Sequence, residues 1–195
     1  MTQLSMQAPE GVQDYLPLEC HNKIRIERKM AQCFHLSGYE QVDLPTFEYL
    51  DVFATGVGSV RAEQMIKFVD SGGHILVLRP DLTVPIARMT STRMKDQQPP
   101  IRLYYVANAF MSRDSSPNEQ KEFTQAGVEL LGVPGPEGDA EVIALAIEAL
   151  RSAGLEGFSI DVGQVDFFRG VMEEAGLTGP KADELRGYVD RKNML

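Results

Sequence analysis

Hydrophobic residues recur every three or four positions early in the chain, at Ile26, Met30, Cys33 and Phe34. This spacing predicts a helix over Glu19–Ser37, because residues three and four apart share one helix face. Gly38 follows where a helix C-terminus favours a residue with positive φ. Apolar and polar residues then alternate over Tyr39–Leu44, which predicts a short strand that ends at Pro45. Thr46–Phe53 is predicted as a short helix or turn.

The next segment has the pattern of a β-hairpin. Two apolar runs, Met65–Val69 and His74–Leu78, flank Asp70-Ser71-Gly72-Gly73, whose residue types suit a tight turn. After the hairpin, Asp81 can cap the N-terminus of a helix that continues to about Arg93.

Two long strands are predicted in the middle of the chain, at Ile101–Phe110 and Glu122–Leu131. The polar stretch Ser112–Gln120 separates them. Long strands joined by a polar loop indicate an antiparallel pair in the centre of a sheet.

The last third of the chain is predicted to be mostly helical. Helices are expected at Ala140–Ala153, at Val165–Ala175 and after Pro180, with one strand at Phe158–Val162. Hairpins and helices mixed in this order favour an α+β fold, an antiparallel sheet flanked by helices, over a doubly wound parallel sheet.

Composition and charge narrow the functional class. Hydrophobic residues make up 43% of the 195 residues, which is enough for a buried core. No apolar run reaches the about 18 residues of a membrane span, and no signal-peptide pattern is present. The 19 Lys and Arg against 28 Asp and Glu give a net charge of −9, so tRNA binding is not expected. The two cysteines and three histidines lack metal-ligand spacing. We therefore expect a soluble, cytoplasmic protein with no membrane contact, metal or cofactor.

The strand that contains Phe123, Gln125, Gly127 and Glu129 places these four side chains on one face, because side chains alternate along a strand. An amide and a carboxylate on either side of a glycine would leave room for a small polar ligand. A solvent-exposed strand face would carry the same residue types, so this segment alone decides nothing.

Asp81 and Thr83 lie at the start of a predicted helix. A carboxylate and a hydroxyl there can cap the helix or bind a ligand ammonium group. Arg79 and Arg88 on either side have the character of ion-pair partners.

Four ordered segments resemble class II aminoacyl-tRNA synthetases of the histidyl branch. Gly38–Pro45 is similar to motif 1, the dimer-forming helix and strand of that family. Arg79–Arg88 resembles its Arg-Pro-Asp/Glu-x-Thr segment, and Arg102–Glu129 resembles motif 2, which ends in Phe-x-Gln-x-Gly-x-Glu. Glu10–Pro17 is similar to the branch's opening Gly-x-x-Asp-x-Leu-Pro, so the resemblance covers roughly residues 8–176.

The resemblance implies a site for histidine. Asp81, Thr83 and Gln125 would surround the α-ammonium group of the bound amino acid, and Glu129 would accept a hydrogen bond from its imidazole. A ligand with a cationic amine requires carboxylate and amide oxygens that converge from more than one element, which agrees with this set.

Motif 2 of the synthetases supplies an arginine to the α-phosphate of ATP directly after its first strand. In this sequence Phe110 is followed by Met111, which can neither donate to phosphate nor carry a charge. Arg113 lies two residues further on and could replace the arginine only after a shift of the loop. Because the loss of one preorganised donor typically costs about 10²–10³ in rate, we expect no catalytic residues and no formation of histidyl-adenylate.

The amino-acid sequences of three stretches resemble the family of ATP phosphoribosyltransferase regulatory subunits more closely than they resemble the synthetases. These stretches are Arg79–Arg88, Glu122–Gly132 and Gly138–Ile143. That family keeps the synthetase fold without aminoacylation. The resemblance therefore implies a non-catalytic regulatory subunit that activates the short-form ATP phosphoribosyltransferase catalytic subunit and mediates histidine feedback in the first step of histidine biosynthesis. It also implies a homodimer through Gly38–Pro45, with histidine as the ligand.

Two alternatives stay open: a fragment of an authentic histidyl-tRNA synthetase, which activates histidine with ATP, and a free-standing amino-acid-binding domain with another partner. The resemblance divides the chain into the first part of a class II core, residues 1–178, and the start of a helical insertion, residues 179–195. Because the family's motif 3 and anticodon-binding domain would follow residue 195, we expect a truncated part of a longer protein.

Overall fold

The computed structural model describes residues 7–53, 60, 62–112 and 120–190. The chain divides into two compact units, Met1–Glu156 and Gly157–Leu195. The first unit contains helices α1 (Pro17–Leu36), α2 (Leu50–Phe53), α3 (Thr83–Arg93) and α4 (Pro136–Ala153), and a 3₁₀ turn at Ala62–Gln64. Its strands are β1 (Glu40–Gln41), β2 (Phe47–Tyr49), β3 (Lys67–Val69), β4 (Ile75–Leu78), β5 (Ile101–Phe110) and β6 (Glu122–Leu131). The second unit contains α5 (Val165–Glu174) and α6 (Pro180–Asp190).

The first helix, α1, begins and ends at residues whose backbone preferences suit those positions. Pro17 occupies the first turn, where its fixed φ favours the helix and its missing N–H is not needed. The Glu19 carboxylate accepts a hydrogen bond of 2.9 Å from the backbone N–H of Leu16. Gly38 has a φ of 86° just after the helix, which confirms the predicted left-handed termination.

The larger sheet has the strand order β1-β5-β6. Strands β5 and β6 are antiparallel, with ten residue pairs from Ile101–Leu131 to Phe110–Glu122, and their predicted bounds are confirmed. Strand β1 runs parallel to β5 over two pairs only, so the predicted strand Tyr39–Leu44 is shortened. The sheet is therefore mixed, within an α+β fold that agrees with the predicted class.

The two faces of this sheet pack against different helices. One face carries Tyr104, Ala126 and Val128, which pack with α1 and α4 residues such as Phe34 and Leu145. The opposite face packs against α3 and the loop before it, through the sheet residues Leu103, Tyr105, Ala109 and Phe123 and their partners Leu82 and Ile86. Of the predicted site residues, Gln125 and Glu129 lie on this second face.

The smaller sheet is antiparallel, in the order β2-β4-β3. Strands β3 and β4 form the predicted hairpin. The Asp70 carboxylate closes its turn by accepting hydrogen bonds from the N–H groups of Gly72 (2.8 Å) and His74 (2.9 Å). The segment predicted as a short helix or turn instead begins with β2, because it pairs with β4 before α2 starts.

Two predicted elements near the end of the chain differ from the structure. Phe158–Val162 was predicted as a strand, but it forms none, since it pairs with no strand in the described parts of the chain. Helix α4 begins at Pro136, four residues before the predicted start, because a proline at the first helical position favours initiation. The predicted boundary at residue 178 stays a prediction. Among the described helices, none is long and apolar enough to cross a membrane.

Candidate functional site

Two elements bring the four predicted site residues together. Gln125 and Glu129 project from the α3-facing side of β6, two positions either side of Gly127. Asp81 lies in the loop after β4, and Thr83 is the first residue of α3. The loop between β4 and α3 therefore brings the polar N-terminus of α3 next to the polar residues of β6.

Direct hydrogen bonds link the four side chains in two pairs. The Thr83 hydroxyl donates to Glu129 Oε1 at 2.8 Å. The Gln125 amide nitrogen donates to Asp81 Oδ2 at 3.1 Å. Residues separated by more than forty positions in sequence are thus in contact.

The Asp81 carboxylate makes two contacts, one of which is the helix-start contact that the sequence left open. Its Oδ1 accepts a hydrogen bond of 2.7 Å from the backbone N–H of Thr83, which satisfies a donor at the start of α3. Its Oδ2 faces Gln125 on the sheet. One carboxylate therefore stabilises the helix start and links it to β6.

The Gln125 side chain has one polar atom without a partner. Its Oε1 is buried and accepts no hydrogen bond from the described residues. A buried acceptor without a donor costs about 1–3 kcal/mol. The atom is therefore suited to accept a hydrogen bond from a donor that a ligand brings.

Glu129 is a carboxylate in a partly dehydrated position. Burial raises the pKa of its carboxyl group, the hydrogen bond from Thr83 lowers it, and the charge of Asp81 raises it again. The net effect is an increase, because removal from water and a nearby like charge both oppose ionisation. A cationic ligand placed between Asp81 and Glu129 would offset the repulsion between the two carboxylates and favour the ionised form of Glu129.

Tyr105 also belongs to this cluster, and the sequence analysis missed it. It lies directly opposite Gly127 on β5, and its side chain is only 4% exposed. A Cβ atom at Gly127 would collide with the Tyr105 hydroxyl oxygen and Cζ. The space beside Gly127, interpreted from the sequence as room for a ligand, is therefore occupied by this ring. A tyrosine paired with a glycine across two strands would have indicated this contact. The pairing can be recognised only once the register of the two strands is known.

The two arginines that flank Asp81 and Thr83 have different environments. Arg88 forms the expected ion pair, with Glu48 of β2. Arg79 is buried and forms no such pair with the residues that the structure describes; its guanidinium donates to the carbonyl oxygens of Leu44, Pro45 and Asn108. Burial lowers the pKa of Arg79, although the charge of Asp43 opposes this effect. This residue therefore supports the backbone behind the site.

The position at which the synthetases carry a phosphate-binding arginine is occupied by a buried residue. Met111 follows β5, is 8% exposed, and its backbone N–H donates to the Lys121 carbonyl oxygen at 2.9 Å. The predicted substitute, Arg113, lies outside the described residues. Within the described ranges, no group of three or more His, Cys, Asp or Glu side chains is arranged to hold a metal ion.

Comparison with known proteins places this geometry in a family. A curated relative from Acetivibrio thermocellus, named ATP phosphoribosyltransferase regulatory subunit, is 49% identical over all 195 residues, and the match covers 47% of the relative. The chain spans about half the length of the curated relatives it matches.

Solved structures give the same picture. An ATP phosphoribosyltransferase regulatory subunit/histidyl-tRNA synthetase from Bacillus halodurans matches with a TM-score of 0.90 and 36% identity, over 99% of this chain and 50% of that one. A histidine–tRNA ligase subunit from Alicyclobacillus acidocaldarius matches with a TM-score of 0.67 and 29% identity, over 77% of this chain and 43% of that one. The family model described as Histidyl-tRNA synthetase matches residues 11–195. The resemblance found in the motifs is thus confirmed, and the chain belongs to the histidyl-tRNA synthetase family.

Proposed function

We propose that this chain is part of a non-catalytic regulatory subunit of ATP phosphoribosyltransferase, which activates the short-form catalytic subunit in the cytoplasm and mediates feedback by histidine. One observation carries the proposal: the groups suited to an amino acid are together, whereas the phosphate position holds Met111. Thr83 is hydrogen-bonded to Glu129 and Gln125 to Asp81, and Asp81 also accepts from the Thr83 backbone N–H. The names of the curated relatives support the same role.

The ligand proposed for the site is histidine. Asp81 and Glu129 bring negative charge, and Gln125 Oε1 offers an acceptor that has no protein donor among the described residues. These oxygens suit the α-ammonium group and a nitrogen-bound hydrogen of the imidazole. Because an apolar side chain would leave the Glu129 carboxylate without a donor, the site would discriminate against it.

The function is tested by two assays on a full-length protein that carries this sequence. Addition of the protein to a short-form catalytic subunit should raise the rate of phosphoribosyl-ATP formation, and histidine should reduce that rate. Histidine-dependent exchange of pyrophosphate into ATP should stay at background, because Met111 cannot bind phosphate. Clear exchange would overturn the proposal in favour of a synthetase.

We also propose that the subunit forms a homodimer through Gly38–Pro45. Strand β1 lies at one end of the β1-β5-β6 order, so its outer edge is unpaired within the described sheet. A two-fold partner is a common means of covering such an edge. Light scattering of this chain at micromolar concentration should give about twice its mass of 21.6 kDa. A strictly monomeric chain would contradict a dimer contact held by this segment alone.

A further inference from the structure

One face of the smaller sheet carries three exposed aromatic side chains. Phe47 and Tyr49 of β2 are both 52% exposed, and Phe68 of β3 is 38% exposed. Leu76 of β4 lies between them, because it pairs with Tyr49 on one side and with Phe68 on the other. Directly paired residues point to the same side of a sheet, so these four side chains form one continuous surface, which we call the aromatic face.

Contacts between rings hold this surface together. Phe47 and Phe68 lie on the two outer strands of the sheet and meet edge to face, with ring centroids 5.8 Å apart. Tyr49 makes a similar contact of 5.6 Å with His74, which follows the hairpin turn. Edge-to-face pairs are a favoured arrangement of aromatic rings. The aromatic face is therefore a formed surface that spans all three strands.

The exposed area of the aromatic face is large for a protomer on its own. With roughly 200 Å² for each aromatic side chain, the exposed parts of the three rings amount to about 300 Å². An apolar patch of this size is among the largest that a typical monomer exposes, and it often marks an interaction site.

The distribution of charge favours a second copy of this chain as the partner. The chain has a net charge of −9, so most of its surface would repel the same surface of another copy. Every strand residue on the aromatic face is uncharged. Glu48 and Lys67 alternate to the opposite face, where Glu48 pairs with Arg88 of α3. A two-fold axis brings the same patch of two copies together, and only a patch without like charges tolerates this.

The segment already proposed for the homodimer cannot supply an apolar interface by itself. In Gly38–Pro45 the largest apolar side chains, Tyr39 and Leu44, are buried within one protomer. A stable interface typically buries about 800 Å² per partner, and in homodimers about 65% of that area is apolar. The remaining apolar area must therefore come from another part of the surface.

The aromatic face is directly connected to that segment. The Arg79 guanidinium donates to the carbonyl oxygens of Leu44 and Pro45, and the Arg79 backbone N–H donates to the Thr46 carbonyl oxygen at 2.9 Å. Phe47 begins β2 immediately afterwards. These bonds hold the end of Gly38–Pro45 next to the first ring of the aromatic face, so both can belong to one interface.

We propose that the aromatic face is the apolar core of the homodimer interface, covered by a second copy of this chain across a two-fold axis. The inference rests on the proposed homodimer and names the surface that stabilises it. Removal of the three rings from water supplies the apolar contribution that Gly38–Pro45 lacks.

The first test measures the dissociation constant of the dimer by sedimentation equilibrium of the full-length protein. Phe47→Ser and Tyr49→Ser should each weaken the dimer about thirtyfold or more, because each truncated anchor occurs twice in a symmetric interface. Phe167→Ser, which changes an exposed phenylalanine on α5, is the matched control and should leave the constant unchanged. Circular dichroism verifies that each variant is folded.

The second test identifies the partner and keeps the aromatic character of the face, so it decides the question even if a serine variant does not fold. A benzophenone amino acid replaces Tyr49 in the full-length protein, or Phe167 as the control. Irradiation of the Tyr49 replacement should give a covalent dimer on a denaturing gel, with the short-form catalytic subunit present or absent, whereas the control should give none.

Three results would overturn the proposal. Crosslinks from position 49 only within one chain would show that the rest of the polypeptide covers the face, and crosslinks only to the catalytic subunit would make it a heteromeric surface. A wild-type dimer that both serine variants leave unchanged would refute the aromatic face but keep the homodimer. A monomeric wild-type protein would refute both.

Discussion

Replacing Arg79 by methionine removes a buried guanidinium that joins three segments of the first unit. Arg79 Nε donates to the Asn108 carbonyl oxygen on β5 at 2.8 Å. Its Nη1 donates to the carbonyl oxygens of Leu44 (2.5 Å) and Pro45 (3.1 Å), between β1 and β2. The backbone of Arg79 also bonds to Thr46 and Phe110 on the same segments.

The magnitude follows from these three side-chain bonds. Hydrogen bonds that involve a charged group contribute about 1.5–3 kcal/mol each, so the three together contribute about 4.5–9 kcal/mol before offsets. Release of the guanidinium from a site that is 5% exposed recovers part of this, because desolvating an ion costs several kcal/mol. We therefore expect Arg79→Met to lower the free energy of unfolding by about 3 kcal/mol, a large fraction of the stability of a typical domain.

Urea unfolding of the full-length protein followed by circular dichroism measures the change. Arg93→Met is the matched control, since Arg93 is exposed at the end of α3, and it should alter stability by less than about 0.5 kcal/mol. Arg79→Lys keeps the charge but not the planar fork, so a loss close to that of methionine would identify the fork as the cause. If Arg79→Met loses less than about 1 kcal/mol, the reasoning from its hydrogen bonds is refuted.

The remaining predictions concern the ligand and the effect of pH. Glu129→Gln should weaken histidine binding about tenfold or more in titration calorimetry, because the variant lacks the charge that attracts the imidazole; equal affinity would remove Glu129 from the site. Glu141 accepts hydrogen bonds from Arg102 and Tyr39, which lower the pKa of its carboxyl from 4.5 to about 2. A lowered pKa stabilises the fold above the unfolded value, and this contribution is lost as pH falls through the folded value. Wild type should therefore exceed Glu141→Gln in urea stability at pH 6, and the difference should shrink between pH 4.5 and about 2; a pH-independent difference would contradict this assignment.

The elements that could be predicted from sequence are those whose pattern is local. The bounds of β5 and β6 were confirmed because two ten-residue runs separated by a polar loop have few alternative interpretations. The strand predicted at Phe158–Val162 was wrong, since strand formation depends on a partner that a local pattern does not reveal. Similarly, β2 was not recognised, because only pairing with β4 makes three residues a strand.

The residues of the candidate site also differ in whether they could be predicted from the sequence. The contacts among Asp81, Thr83, Gln125 and Glu129 follow from strand alternation and a resemblance that spans both segments. Tyr105 could not be found by either route, because its place beside Gly127 depends on a register that connects residues twenty-two positions apart. The role of Arg79 was also misjudged, since backbone carbonyl acceptors have no signature in the sequence.

The close approach of Tyr105 to Gly127 restricts how these two positions can change over evolutionary time. A side chain at 127 requires the ring at 105 to be smaller or to leave, because both would occupy the same volume. Among proteins that keep the β5–β6 register, substitutions at 105 and 127 should therefore covary: glycine with tyrosine, and a larger residue only with a smaller partner. A lineage that acquired alanine at 127 first would pass through a poorly packed intermediate. The glycine of this strand is thus constrained by a neighbouring strand as well as by any ligand.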